Sequence, residues 1–171
     1  MNRRLLIYLL LFLAQAALWN YFNFSQYLTI VFLPAMILCL PVSYSTVRAM
    51  AVAFLTGLAM DFIVTGQLGL TSFALVPAAL LRRPVIGLVF GSEAFARGEE
   101  LSLRRQGWPK FVPAVLLLTA VFLLLYIWAD DAGMRPFWFA AAKFGASLAA
   151  SGAVSVFIAY LMLEEFGERW K

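Results

Sequence analysis

The chain has no histidine, one cysteine and few charges. Without histidine it lacks the commonest general base near neutral pH and the commonest metal ligand. One thiol, Cys39, makes no intramolecular disulfide and leaves the redox compartment open. It lies in an apolar run, where a free cysteine behaves as a small buried hydrophobe. Charged residues make up 13% of the 171. They form no acid pair within one apolar run, and there is no metal-spaced cysteine set or phosphate-cradling glycine loop. Asp130-Asp131 reads as a solvated loop, and Glu164, Glu165 and Glu168 as a solvated tail. No catalytic constellation emerges, so neither enzymatic activity, a metal nor a cofactor is expected. The formal charge of +4 does not point to nucleic acid, because no basic run is interleaved with aromatics.

What the chain does have is apolar length. It is 64% hydrophobic, with mean hydropathy +0.89, well outside soluble globular composition. A membrane span needs about 20 apolar residues. The runs at about 5–19, 28–42, 47–64, 68–81, 111–128 and 137–163 read as six spans of one embedded domain. This reading sorts the cations. All Lys and Arg except Arg135 and Lys143 fall on one side, which the positive-inside bias makes cytoplasmic and which places both termini there. The fold class expected is therefore an all-α integral membrane protein with six transmembrane helices.

Details follow from residue type. Ala14-Gln15-Ala16 has the form of a signal-peptide cleavage site. The apolar run continues beyond it and another span follows at once, so an uncleaved first span is the simpler account. Residues 20–27, rich in aromatics, mark the opposite interface. Pro34 and Pro77 each sit inside a short span, freeing a carbonyl that neighbours must satisfy. The fourth span is expected to stop at Arg82-Arg83-Pro84, leaving 85–90 as an apolar tail. Residues 91–110 are the longest polar stretch and suit a surface helix at the lipid boundary.

Two features stand out as candidate sites. Asp61 is the only acid well inside an apolar run, a position that normally faces protein or water. It reads as a structural bond to the turn at Thr65-Gly66, as part of a partner surface, or as a ligand contact. Nearby, Gly57 suits a helix crossing, and Gly66 and Gly69 suit a tight re-entry before or beside Leu68. The second feature is the sixth span. Ala142, Ala146 and Ala150 repeat at four residues, as do Gly145, Ala149 and Ala153. Small residues at that spacing let helices pack closely in lipid, against other spans of this chain or against a single-span partner. Lys143 is placed to snorkel to the interface.

The stretch Gly57-Leu58-Ala59-Met60-Asp61, followed by Leu68-Gly69-Leu70, resembles the bacterial rod-shape-determining MreD family. That family pairs a glycine–acid span end with a Leu-Gly start of the next span. Its usual turn contains a proline, which is lacking here, where the turn reads Val64-Thr65-Gly66-Gln67. The likeness covers the chain in length and span count, but only about fourteen residues by motif. The vitamin-binding S subunits of energy-coupling-factor transporters carry a similar span end, and MreD is thought to share their six-helix fold. The resemblance implies a non-enzymatic subunit of the cell-elongation machinery in the bacterial inner membrane. Its partners would be MreC, the actin-like MreB, and RodA with its transpeptidase. By analogy, the Asp61 hairpin or the sixth span would dock MreC, and residues 91–110 would face MreB. The alternative is an S subunit, whose ligand groups would be drawn from Asn20, Asn23, Gln26, Asp61, Gln67 and Lys143. The first span lacks the Ala-x-x-x-Ala docking face of S subunits, since its alanines are Ala14, Ala16 and Ala17.

The topology has a direct test. A fluorescent reporter that matures only in the cytoplasm should light up at either terminus, and a phosphatase active only outside should be silent at both. A split result would break the six-span count.

Overall fold

The computed structural model describes residues 3–21, 28–41, 44–90, 108–131 and 136–167. Among these the chain is helical. α1 is Arg3–Tyr21, α2 is Leu33–Leu38, and α3 is Thr46–Met60, continued by a π-helical turn, Asp61–Thr65. α4 is Leu70–Phe90, α5 is Trp108–Asp131 and α6 is Phe137–Gly167. Four helical stretches are long and apolar enough to cross a membrane: Thr46–Val64, Leu70–Val89, Lys110–Asp131 and Phe137–Leu161. A shorter apolar stretch, Leu6–Tyr21, accompanies them. This is an all-α membrane protein.

The second expected span is built differently. Residues 28–32 are not helical, and only the six residues of α2 follow as helix. Pro34 does not interrupt this helix but opens it, in the first turn, where the missing N–H costs nothing. The whole stretch 31–39 is buried, flanked by α1, α4, α5 and α6.

A non-helical backbone at this depth must find partners, because lipid supplies none. Here side chains act as the partners. Ser147 Oγ accepts from Thr29 N–H at 2.9 Å, and Ser151 Oγ accepts from Val31 N–H at 2.9 Å. The Ser151 hydroxyl also donates to the Thr29 carbonyl at 3.0 Å, and that of Ser155 to the Val31 carbonyl at 3.2 Å. From α1, Gln15 Nε2 and Trp19 Nε1 donate to the Ile30 carbonyl at 3.1 and 2.7 Å. Gln15 Oε1 accepts from Phe32 N–H at 2.8 Å. Odd residues thus bond to α6 and even residues to α1, the alternation of an extended chain. The spacing explains the match. Two residues of strand advance about 6.6 Å, and four residues of helix about 6.0 Å, so a serine every fourth residue keeps step with the segment. An extended chain also covers more distance per residue than a helix.

The far end of α2 is closed by Arg82, expected at the helix end but 1% exposed. Its guanidinium donates to the carbonyls of Leu38 at 3.3 Å, of Pro41 at 3.2 Å, and of Leu40. A cation at a helix C-terminus meets the orphan carbonyls and the negative end of the dipole. α4 does not stop there. It runs through Pro84 to Phe90, with Val85 and Ile86 buried, so 85–90 is part of the helix. The helix expected within 91–110 lies outside the described residues, except that Trp108–Lys110 open α5.

Replacing Ser151 by Ala should cost about 1–3 kcal/mol by orphaning buried Val31 N–H. Ser155→Ala should cost less, since that hydroxyl makes one bond with the segment instead of two. Melting temperatures in detergent, measured for both variants, check the order.

Candidate functional site

The hairpin between α3 and α4 is assembled around Asp61. Gly66 N–H donates to the Asp61 carbonyl at 2.8 Å, five residues back, and closes the π-helical turn. Gly66 then takes a left-handed conformation, φ +67°, and Gly69 follows at φ +99°. Both positions disfavour any residue with a Cβ. The turn brings the chain back so that α4 starts beside the acid that ended α3.

Asp61 is fully buried. Its Oδ2 accepts from Gly69 N–H at 2.9 Å, and its Oδ1 from Thr71 N–H at 3.0 Å. Oδ2 also lies 3.1 Å from Thr71 N and 3.5 Å from Ser72 N. The carboxylate therefore caps the first turn of α4, satisfying orphan N–H groups and facing the positive end of its dipole. Asp61 thus bonds the turn through its backbone carbonyl, to Gly66 N–H, and the start of α4 through its side chain, to the N–H groups of 69–72. Gly57 holds the two helices together. A Cβ there would stand 2.6 Å from Ser72 Cα and 2.7 Å from Ser72 N. Ser72 Oγ in turn donates to the Phe54 carbonyl at 3.1 Å. Leu68 projects from the hairpin tip and is exposed, as are Phe62 and Ile63. Tyr8 joins α1 to α3 through Thr56 Oγ1 at 3.1 Å.

The sixth span presents two faces. The inward face carries Lys143, Ser147, Ser151, Ser155 and Ala159, all buried. Ala142, Gly145, Ala146, Ala149 and Ala153 are exposed, and a Cβ on Gly145 would meet nothing. Ala150, in the same rows, is half-buried, so the small-residue surface is mostly, not wholly, turned away from the core. Close packing falls instead to Gly152, whose added Cβ would meet Leu116 of α5 at 2.5 Å. Lys143 does not snorkel outward. It is 5% exposed and bonds Asp130 Oδ2 at 2.8 Å, pinning the start of α6 to the end of α5. Asp130 is thus an ion-pair partner, not a free loop acid.

The residues that would serve as a ligand set stand in different settings. Asn20 and Gln67 are exposed, Asp61 and Lys143 are taken up by internal bonds, and Asn23 and Gln26 lie outside the described residues. No group of three His, Cys, Asp or Glu side chains that could hold a metal ion occurs among the described residues. Sequence reasoning missed Gln15, Arg82 and the serine ladder. The visible signals were a glutamine inside an apolar run and Ser147-x-x-x-Ser151-x-x-x-Ser155, a polar row interleaved with the alanine rows. Comparison of the chain with family models, curated proteins and solved structures returns no match.

Three substitutions separate the roles here. Asp61→Ala leaves several buried N–H groups without an acceptor and should cost at least about 2 kcal/mol. Gly57→Leu pushes α4 off α3 and should cost about 1–3 kcal/mol. Leu68→Ala, at an exposed tip, should leave the melting temperature within a degree or two of the parent.

Proposed function

We propose that this chain is a non-enzymatic membrane subunit of the bacterial cell-elongation complex, similar to MreD, in the inner membrane. The observation that carries the reading is the Gly57–Asp61 and Leu68-Gly69-Leu70 stretch, on which the resemblance rests. Its polar and glycine residues all serve to build the hairpin. Gly57 admits Ser72, Asp61 caps α4, and Gly69 turns the chain. An acid used up as a cap is a scaffold element, which suits a docking subunit better than a transporter whose acid must meet a ligand.

In this reading the exposed Ala142, Gly145, Ala146 and Ala149 face receives the single span of MreC. Small residues there allow close backbone approach. MreB, RodA and its transpeptidase complete the assembly from the cytoplasmic side and within the membrane. No nucleic acid takes part.

Depletion in the host tests the reading. Rounded or widened cells, with MreC recovered on a tagged copy in mild detergent, are expected. Normal shape with an energy-coupling ATPase pair in the eluate would instead favour the S-subunit alternative. Gly145→Leu or Ala149→Leu should insert normally yet recover less MreC, and unchanged recovery would move the docking face elsewhere.

A further inference from the structure

Arg82 and Arg83 are adjacent in sequence but part in the structure. Arg82 turns inward and is spent on the carbonyls of Leu38, Leu40 and Pro41. Arg83 is exposed. Its position follows from the packing of α3 on α4. The two helices run antiparallel and touch at Gly57 and Ser72. From that contact, Ser72, Val76, Ala79 and Arg83 follow along α4 at steps of four, three and four residues, one stripe of a helix. In the other direction along α3, Gly57, Ala53, Met50 and Thr46 make the same steps. Each stripe advances eleven residues, about 16 Å. Ala53 and Ala79 are buried, and Met50 and Val76 half-buried, as facing stripes require. Arg83 is thereby brought beside Thr46, the first residue of α3.

A second arginine stands at that level. Arg48 is exposed in the first turn of α3, which contains no acid. Ser45 Oγ accepts from Arg48 N–H at 3.4 Å and keeps its own O–H to donate. Two guanidinium groups and a hydroxyl from neighbouring helices therefore collect at one height, on the side rich in Lys and Arg. One turn deeper, exposed Leu80 on α4 and exposed Ala51 on α3 present an apolar surface. Guanidinium groups bind phosphate oxygens through paired N–H donors. A ligand matched to both parts of this surface carries a phosphate and acyl chains.

We propose that Arg48 and Arg83 form a binding site for the phosphate of an anionic phospholipid, whose acyl chains lie along Leu80. This stands apart from the elongation reading and can fail without it.

The test uses the full chain with Cys39→Ala, carrying one fluorophore at Leu80→Cys or, as a reference, at Leu13→Cys on α1. The protein is reconstituted in vesicles of dioleoylphosphatidylcholine and dioleoylphosphatidylglycerol, with one or the other lipid brominated. Quenching reports which of the two sits beside each label. At Leu80 phosphatidylglycerol should be enriched about five- to tenfold over phosphatidylcholine, and at Leu13 about twofold or less. Arg48→Gln combined with Arg83→Gln should abolish the preference at Leu80 and leave the melting temperature in detergent unchanged. Lys110→Gln combined with Lys171→Gln removes the same charge elsewhere and should leave the preference in place. Equal enrichment at the two labels, or equal loss in the two charge-matched variants, would mean diffuse surface charge and overturns the proposal. Loss of the preference in excess inorganic phosphate also overturns it, by making a soluble anion the occupant.

Discussion

Hydrocarbon offers no hydrogen bonds, so a backbone inside it must be satisfied by the protein. Most of this chain meets the requirement by being helical. Residues 28–32 do not, and the fold is arranged around that exception. α1 supplies Gln15 and Trp19, and α6 supplies three hydroxyls. The carboxamide of Gln15 is used as a backbone amide would be, donating to one residue and accepting from another. The segment is thus held from both edges, and α1 and α6 are placed by what they must bond rather than by apolar contact alone.

The buried charges follow the same logic. Each is answered within the protein: Asp61 by N–H groups at the start of α4, Arg82 by carbonyls at and just beyond the end of α2, Lys143 by Asp130. A charge in an apolar run is costly unless paired or bonded, and breaking such a site by removing one partner is worse than never having built it. These groups act as staples between elements distant in sequence. Two of them secure hairpins, Asp61 between α3 and α4 and Lys143 between α5 and α6, while Arg82 ties α4 back to the segment after α2.

Hydropathy made the long helices legible. Those over 46–65, 108–131 and 137–167 fall close to the apolar runs from which they were read. It could not show that 28–38 is extended and then helical, because apolarity reports burial, not backbone conformation. Nor could it show that α4 continues through Arg82, since the sequence carries the charge but not the carbonyls that receive it. The glycines of the hairpin were legible because a tight re-entry demands them. The role of Asp61 was legible only in part, as its donors lie eight to eleven residues away, beyond any local capping pattern. On α6, rows four residues apart lie side by side. The alanine rows drew notice because small residues are a known packing signal, while the serine row between them did the internal work.

The serine ladder also imposes an order on synthesis. The residues it joins are separated by 118 to 124 positions. At typical elongation rates, roughly 6–24 s pass between the emergence of residues 28–32 and of their hydroxyl partners. Throughout that interval the segment has its α1 contacts but an open edge toward α6. A nascent chain in this state cannot be released into lipid at no cost. It has to be sheltered by the insertion machinery, or by water, until α6 arrives, so that a helix made late seals a segment made early.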